Sequence, residues 1–68
     1  MNRTKDELAK RNRIRNQVLQ IRNTGEVNMF DVENVKRLAY YYNCHDLIDY
    51  LTTDRAGYVN LILTGKFN

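Results

Sequence analysis

Residues 21–32 read Ile21-Arg22-Asn23-Thr24-Gly25-Glu26-Val27-Asn28-Met29-Phe30-Asp31-Val32. They hold a helix stop and a helix start close together. Gly25 lacks a Cβ and takes the left-handed conformation that ends a helix. Asp31 carries the short acceptor side chain that an N-cap needs, and Phe30 before it looks like half of a hydrophobic staple. Met29 and Phe30 are therefore expected to plug into the core.

Upstream, Thr4-Lys5-Asp6-Glu7 reads as a capping box, with both acids at the positive end of the helix dipole. The helix it opens runs to about Asn23. Ile14, Val18 and Ile21 share one narrow arc at helical spacing, with Leu8 and Leu19 at its edge. From Asn2 to Arg13 only Leu8 and Ala9 are apolar, so that half reads as a solvated basic arm. Downstream, Val32, Val35, Leu38, Ala39 and Tyr42 share a face of a second helix. Asn43 breaks and caps. A third helix covers roughly Cys44 to Thr53, with Leu47, Ile48, Tyr50 and Leu51 inward. Asp54 caps a fourth from Arg55 to Thr64, closed by Gly65. The fourth helix is apolar around most of its circumference, so it is either central or shared with a partner. The spacing predicts an all-α fold: a small bundle of one long N-terminal helix and three short helices. Residues 1–13 form a basic helical N-terminal extension and residues 14–68 a single helical domain.

Sixty-eight residues allow one domain. The chain has no proline, and its 43% hydrophobic and 28% charged content favours a compact helical domain over disorder. Cys44, the one cysteine, cannot form an internal disulfide, and with the one histidine, His45, it cannot complete a four-ligand zinc site. No cofactor is expected. An unpaired thiol suits a reducing compartment. No apolar run approaches the ~18 residues of a membrane span, and the N-terminus lacks the apolar segment of a secretory signal.

Charge is segregated. Residues 1–23 hold seven basic and two acidic side chains, +5, whereas residues 24–68 hold four basic and six acidic, −2. Such asymmetry points to a charged partner or to another copy of the chain, not to a reaction. Catalysis finds little footing. Cys44 and His45 are adjacent, so on a helix they point about 100° apart and do not share a substrate. Asp46, Asp49 and Asp54 read as a solvated acidic face, which could also bind a divalent cation weakly or mimic phosphates. No glycine-rich phosphate loop is present. The chain is not expected to be an enzyme.

Nucleic-acid contact is the sharper possibility. Lys10, Arg11, Arg13, Arg15 and Arg22 are interspersed with Asn12, Asn16 and Gln17. Arginine grips phosphate bidentately, and Asn or Gln reads base edges. Tyr40 and Tyr41 offer stacking surfaces. Against this, the body is acidic and the later buried positions of a helix-turn-helix would fall on Asp49 and Thr52. Tyr40 and Tyr41 beside Lys36 and Arg37 equally suit a protein interface.

The stretch 21–32, with its Ile-Arg-Asx-x-Gly-x-x-Asn-Met-Phe-Asp pattern, resembles an uncharacterised family of short proteins. Its members occur mostly in bacteriophages and prophages of Gram-positive bacteria. Ala56-Gly57-Tyr58-Val59-Asn60-Leu61-Ile62-Leu63-Thr64-Gly65 is similar to that family's ending, and the likeness spans roughly residues 16–66. It implies a phage setting in the cytoplasm of a bacterial host, and no activity. The expectation is a small non-catalytic interaction protein with a protein or nucleoprotein target, such as a defence complex inhibited in the manner of an anti-CRISPR. A DNA- or RNA-binding regulator using helix one is the alternative. A self-associating morphogenesis accessory, including a homodimer, is the second. No membrane partner is expected.

Overall fold

The computed structural model describes the backbone of residues 3–67 and the side chains of residues 5–67. The capping box read at Thr4 lies outside the described side chains. Four helices follow in order: α1 Arg3–Thr24, α2 Val32–Tyr41, α3 His45–Thr53 and α4 Arg55–Thr64. The fold is an all-α bundle of one long and three short helices.

Each break has a local cause. Gly25 sits at φ +67° and its N–H reaches the Arg22 carbonyl at 3.1 Å, closing α1. The Asn28 side chain accepts from the Phe30 N–H at 2.9 Å, a short turn that leads into α2. Asp31 caps α2 by accepting from the Asn34 N–H and side-chain amide. Asn43 takes φ +59°, where its side chain is better tolerated than most. Its N–H meets Tyr40 O at 3.2 Å and the Cys44 N–H meets Ala39 O at 2.8 Å. This is the paired bonding of a Schellman cap, with Asn in the place glycine usually holds. Asp54 ends α3 and starts α4: its N–H bonds Tyr50 O at 2.8 Å, and its carboxylate accepts from Gly57 N–H at 2.9 Å. Gly65, at φ +76°, closes α4.

The core comprises Ile14, Val18 and Ile21 from α1, Val32, Val35 and Ala39 from α2, and Cys44. Leu47 and Leu51 from α3 and Tyr58 and Leu61 from α4 complete it. The central element is α3, which packs against α1, α2 and α4. Of the two readings of α4, central or shared with a partner, the central one does not hold. Only one side of α4 is buried, and Leu63 is 68% exposed. A further tertiary cap secures α3: Gln17 of α1 accepts from the Leu47 N–H at 2.8 Å, filling one of the helix's orphan donors.

The basic first half of α1 is anchored further back than its apolar pattern indicates. Lys10 Nζ lies 2.7 Å from Asp49 Oδ2, and Arg13 Nε lies 2.9 Å from Asp46 Oδ2. The acidic face of α3 is thus paired with α1 rather than simply solvated, and Asp54 serves as a cap. These ion pairs are largely exposed, so each contributes at most ~1 kcal/mol. They orient α1; Ile14, Val18 and Ile21 hold it.

The Met29–Phe30 plug is also corrected. Met29 is half-buried, but Phe30 is 51% exposed. The backbone turn and the Asp31 cap account for the chain's path there without Phe30 burial.

Candidate functional site

Both α1 and α4 pack on α3 rather than closely on each other. Between them lies a groove of about 470 Å³. Its α1 wall is Arg15, Val18, Leu19 and Arg22; its α4 wall is Leu61, Ile62 and Gly65; Asn28, Met29 and Phe30 close the end. Val18 and Leu61 are buried and make the floor. Leu19, 43% exposed, and Phe30 stand at the rim. Among the described residues no carboxylate lines the groove.

The loop that ends the groove is held by α4. Tyr58, fully buried, donates its hydroxyl proton to the Met29 carbonyl at 2.6 Å. Burial pushes the Tyr58 phenol up to about 12, because the phenolate would lose its hydration there. The hydroxyl therefore stays a donor, and the loop presents Phe30 outward.

The other edge of the groove is set by the chain's end. Arg15 Nη1 donates to Gly65 O at 3.1 Å. The guanidinium carbons of Arg11 and Arg15 lie 5.4 and 5.3 Å from the Phe67 ring centroid, and Tyr50 meets the same ring at a tilt of 58° with centroids 5.7 Å apart. Two cations one helical turn apart thus flank one aromatic ring. Phe67 latches the tail against α1 and lines a smaller cavity of about 300 Å³ beside Glu7 and Asp54.

The nine residues singled out by sequence do not form one surface. Lys10 and Arg13 face α3. Arg11 and Arg15 hold Phe67, and Arg15 also borders the groove with Arg22. Arg15 meets only a carbonyl and a ring, and neither it nor Arg22 has a carboxylate partner among the described residues. Lys36, Arg37, Tyr40 and Tyr41 lie on α2. Tyr40 and Tyr41 are 61% and 76% exposed, and Tyr41 packs edge-on against Tyr42 with ring centroids 4.9 Å apart. The Tyr42 hydroxyl donates to Glu26 Oε1 at 2.9 Å; that hydrogen bond is the main cause that raises its phenol pKa.

Sequence reading missed Phe67, Gln17 and the outward placement of Phe30. All three depend on contacts remote in sequence; the one local signal was the absence of any helical face for Phe67 to join.

Cys44 is buried, and burial raises its thiol pKa, the opposite of nucleophile activation. Among the described residues no group of His, Cys, Asp and Glu side chains gathers where it could hold a metal ion. No helix among them is long and apolar enough to cross a membrane.

No curated protein and no solved structure matches the chain. A family model does match, over residues 11–66, a span that takes in the groove, its Asn28-Met29-Phe30 end and the Gly65 edge. The chain belongs to the family described as a domain of unknown function, DUF5049.

Proposed function

We propose that this chain is a small non-catalytic interaction protein that binds and modulates a macromolecule through the α1–α4 groove. One observation carries the reading: an apolar groove that exposes Leu19 and Phe30 at its rim, bordered by two guanidinium groups that have no carboxylate partner among the described residues. Exposed apolar concavities with a polar rim are what protein partners bury. The buried, unactivated Cys44 supports a role without catalysis.

The resemblance of residues 16–66 to short phage and prophage proteins supports a phage setting, in the cytoplasm of a bacterial host. The target there is a host enzyme, a defence complex or nucleic-acid machinery, and inhibition of a nucleoprotein defence system is the sharpest form of the proposal. Nucleic-acid binding by α1 is the lesser reading. Two of the five α1 basic residues that reading relies on, Lys10 and Arg13, already face aspartates on α3.

The test is quantitative affinity capture from host lysate with the wild-type chain and with Phe30→Ser, run with and without nuclease. A captured protein that survives nuclease and is lost on Phe30→Ser is the expected result. Capture that is unchanged by Phe30→Ser refutes the groove as the binding surface. Capture abolished by nuclease transfers the function to nucleic acid.

A further inference from the structure

We infer that the occupant of the α1–α4 groove is an acidic amphipathic helix of a protein partner; this rests on the groove being the binding surface. The walls state the chemistry. Val18 and Leu61 make an apolar floor, and Leu19 and Phe30 extend the apolar surface at the rim. The hydrocarbon floor favours an apolar side chain entering here. Along the α1 wall, Arg15 and Arg22 stand seven residues apart, two turns or ~10.5 Å. Among the described residues no carboxylate lines the groove, so Arg15 and Arg22 set positive charge beside an apolar floor. The complement is a segment with carboxylates next to apolar side chains.

The occupant's backbone follows from the fold. The groove is bounded by two helices and a turn, so it offers no sheet edge for an extended peptide to join. A helix satisfies its own backbone and brings apolar side chains at i, i+3 or i+4, and i+7 onto one face. Carboxylates on that helix seven residues apart match the Arg15–Arg22 spacing.

Two other occupants fit less well. A nucleic-acid strand would engage both arginines, but it would set sugar and phosphate against Val18, Leu61 and Ile62, with Phe30 the one ring in the lining on which a base stacks. A second copy of this chain has few acids to offer. Asp46 and Asp49 are paired with α1, Asp31 and Asp54 cap helices, Glu33 meets Arg55 at 2.6 Å, and Glu26 accepts from Tyr42. Asp6 and Glu7 adjoin one large apolar residue, the exposed Leu8, too little to fill the floor.

The test selects a displayed library of random 18-residue peptides on the full chain, then measures the winners by fluorescence anisotropy. Leu19→Ser and Arg22→Glu serve as variants; both sites are exposed, and circular dichroism checks that the fold is kept. The expected winners are net acidic, with apolar residues at helical spacing. Their affinity falls about tenfold or more on Arg22→Glu, falls similarly on Leu19→Ser, and weakens as salt rises. Winners that are neutral or basic, winners that bind Arg22→Glu equally well, or no enrichment at all would each overturn the inference. So would binding of a 15-nucleotide oligo-dT lost on Arg22→Glu, or a concentration-dependent dimer mass lost on Leu19→Ser. If lysate capture still depends on Phe30 while the winners are not acidic, the occupant's chemistry is wrong and the groove stands. If capture is also indifferent to Phe30, the groove itself is wrong.

Discussion

Replacing Tyr58 by phenylalanine removes one oxygen and leaves the ring in place, which isolates the bond that pins the groove's end loop to α4. The hydroxyl is buried and donates to the Met29 carbonyl at 2.6 Å. Losing such a bond costs about 1 kcal/mol net. The orphaned carbonyl adds to this, but Met29 is only half-buried and water reaches part of the loop, so the total is about 1–2 kcal/mol. For a domain of this size each kcal/mol moves Tm by roughly 4–8 °C. A second readout comes from titration. The Tyr58 phenol is raised to about 12 in the fold, against about 10 for an unfolded tyrosine. Below pH 10 both states keep the proton and the stabilising contribution is whole. From pH 10 to about 12 the unfolded chain ionises first, so wild-type stability falls with rising pH. Tyr58→Phe has no such proton. The stability gap between wild type and variant should therefore be widest near neutral pH and should narrow across that window. Tyr42 and Tyr50 also have raised phenols, but both chains share them and they cancel in the difference. Urea denaturation followed by circular dichroism from pH 7 to pH 12 measures this. A gap near zero at pH 7, or one that widens above pH 10, refutes the assignment of the Tyr58–Met29 bond as a structural pin.

Gly57→Ala should lose about 1–2 kcal/mol in urea denaturation, although alanine is the better helix former by about 1 kcal/mol. An added Cβ meets the Asp54 carboxylate carbon at 2.6 Å and the Tyr50 hydroxyl at 2.8 Å, so the cap of α4 must give way; a more stable variant contradicts this. Phe30→Ala should change stability by about 1 kcal/mol or less, since half the ring is already in water, whereas a buried Phe costs about 3–5 kcal/mol. Thermal unfolding separates the two. Removing Lys10 and Arg13 together, both to alanine, should cost no more than about 2 kcal/mol, whereas Ile21→Ala alone should cost about 2–5 kcal/mol. Denaturation of both variants side by side would show the reverse order if ion pairs, rather than the apolar stripe, held α1 to the body.

The helix boundaries were legible because their causes lie within a few residues of chain. Gly25 and Gly65 close helices by occupying left-handed backbone, Asn43 does so with tolerable strain, and Asp31 and Asp54 cap by bonding a backbone N–H three residues on. The buried faces of α2 and α3 followed from apolar periodicity. The failures share a different physics. An all-round apolar α4 does not reveal which side is covered, and Phe30 beside an N-cap reads the same whether its ring turns in or out. The sequence also has no local mark for a contact 39 residues away, such as Lys10 with Asp49, or 33 away, such as Arg13 with Asp46. That last point changes how the charge asymmetry bears on function. Along the chain the N-terminal segment counts as +5 and the remainder as −2. In space, two of its cations answer two of the aspartates. At the groove, what faces a partner is Arg15 and Arg22, with no carboxylate partner among the described residues, beside an apolar surface. A phosphate backbone is best met by many exposed cations, each adding to the salt dependence. Two cations beside buried Val18 and Leu61 meet a partner that brings carboxylates and hydrocarbon together.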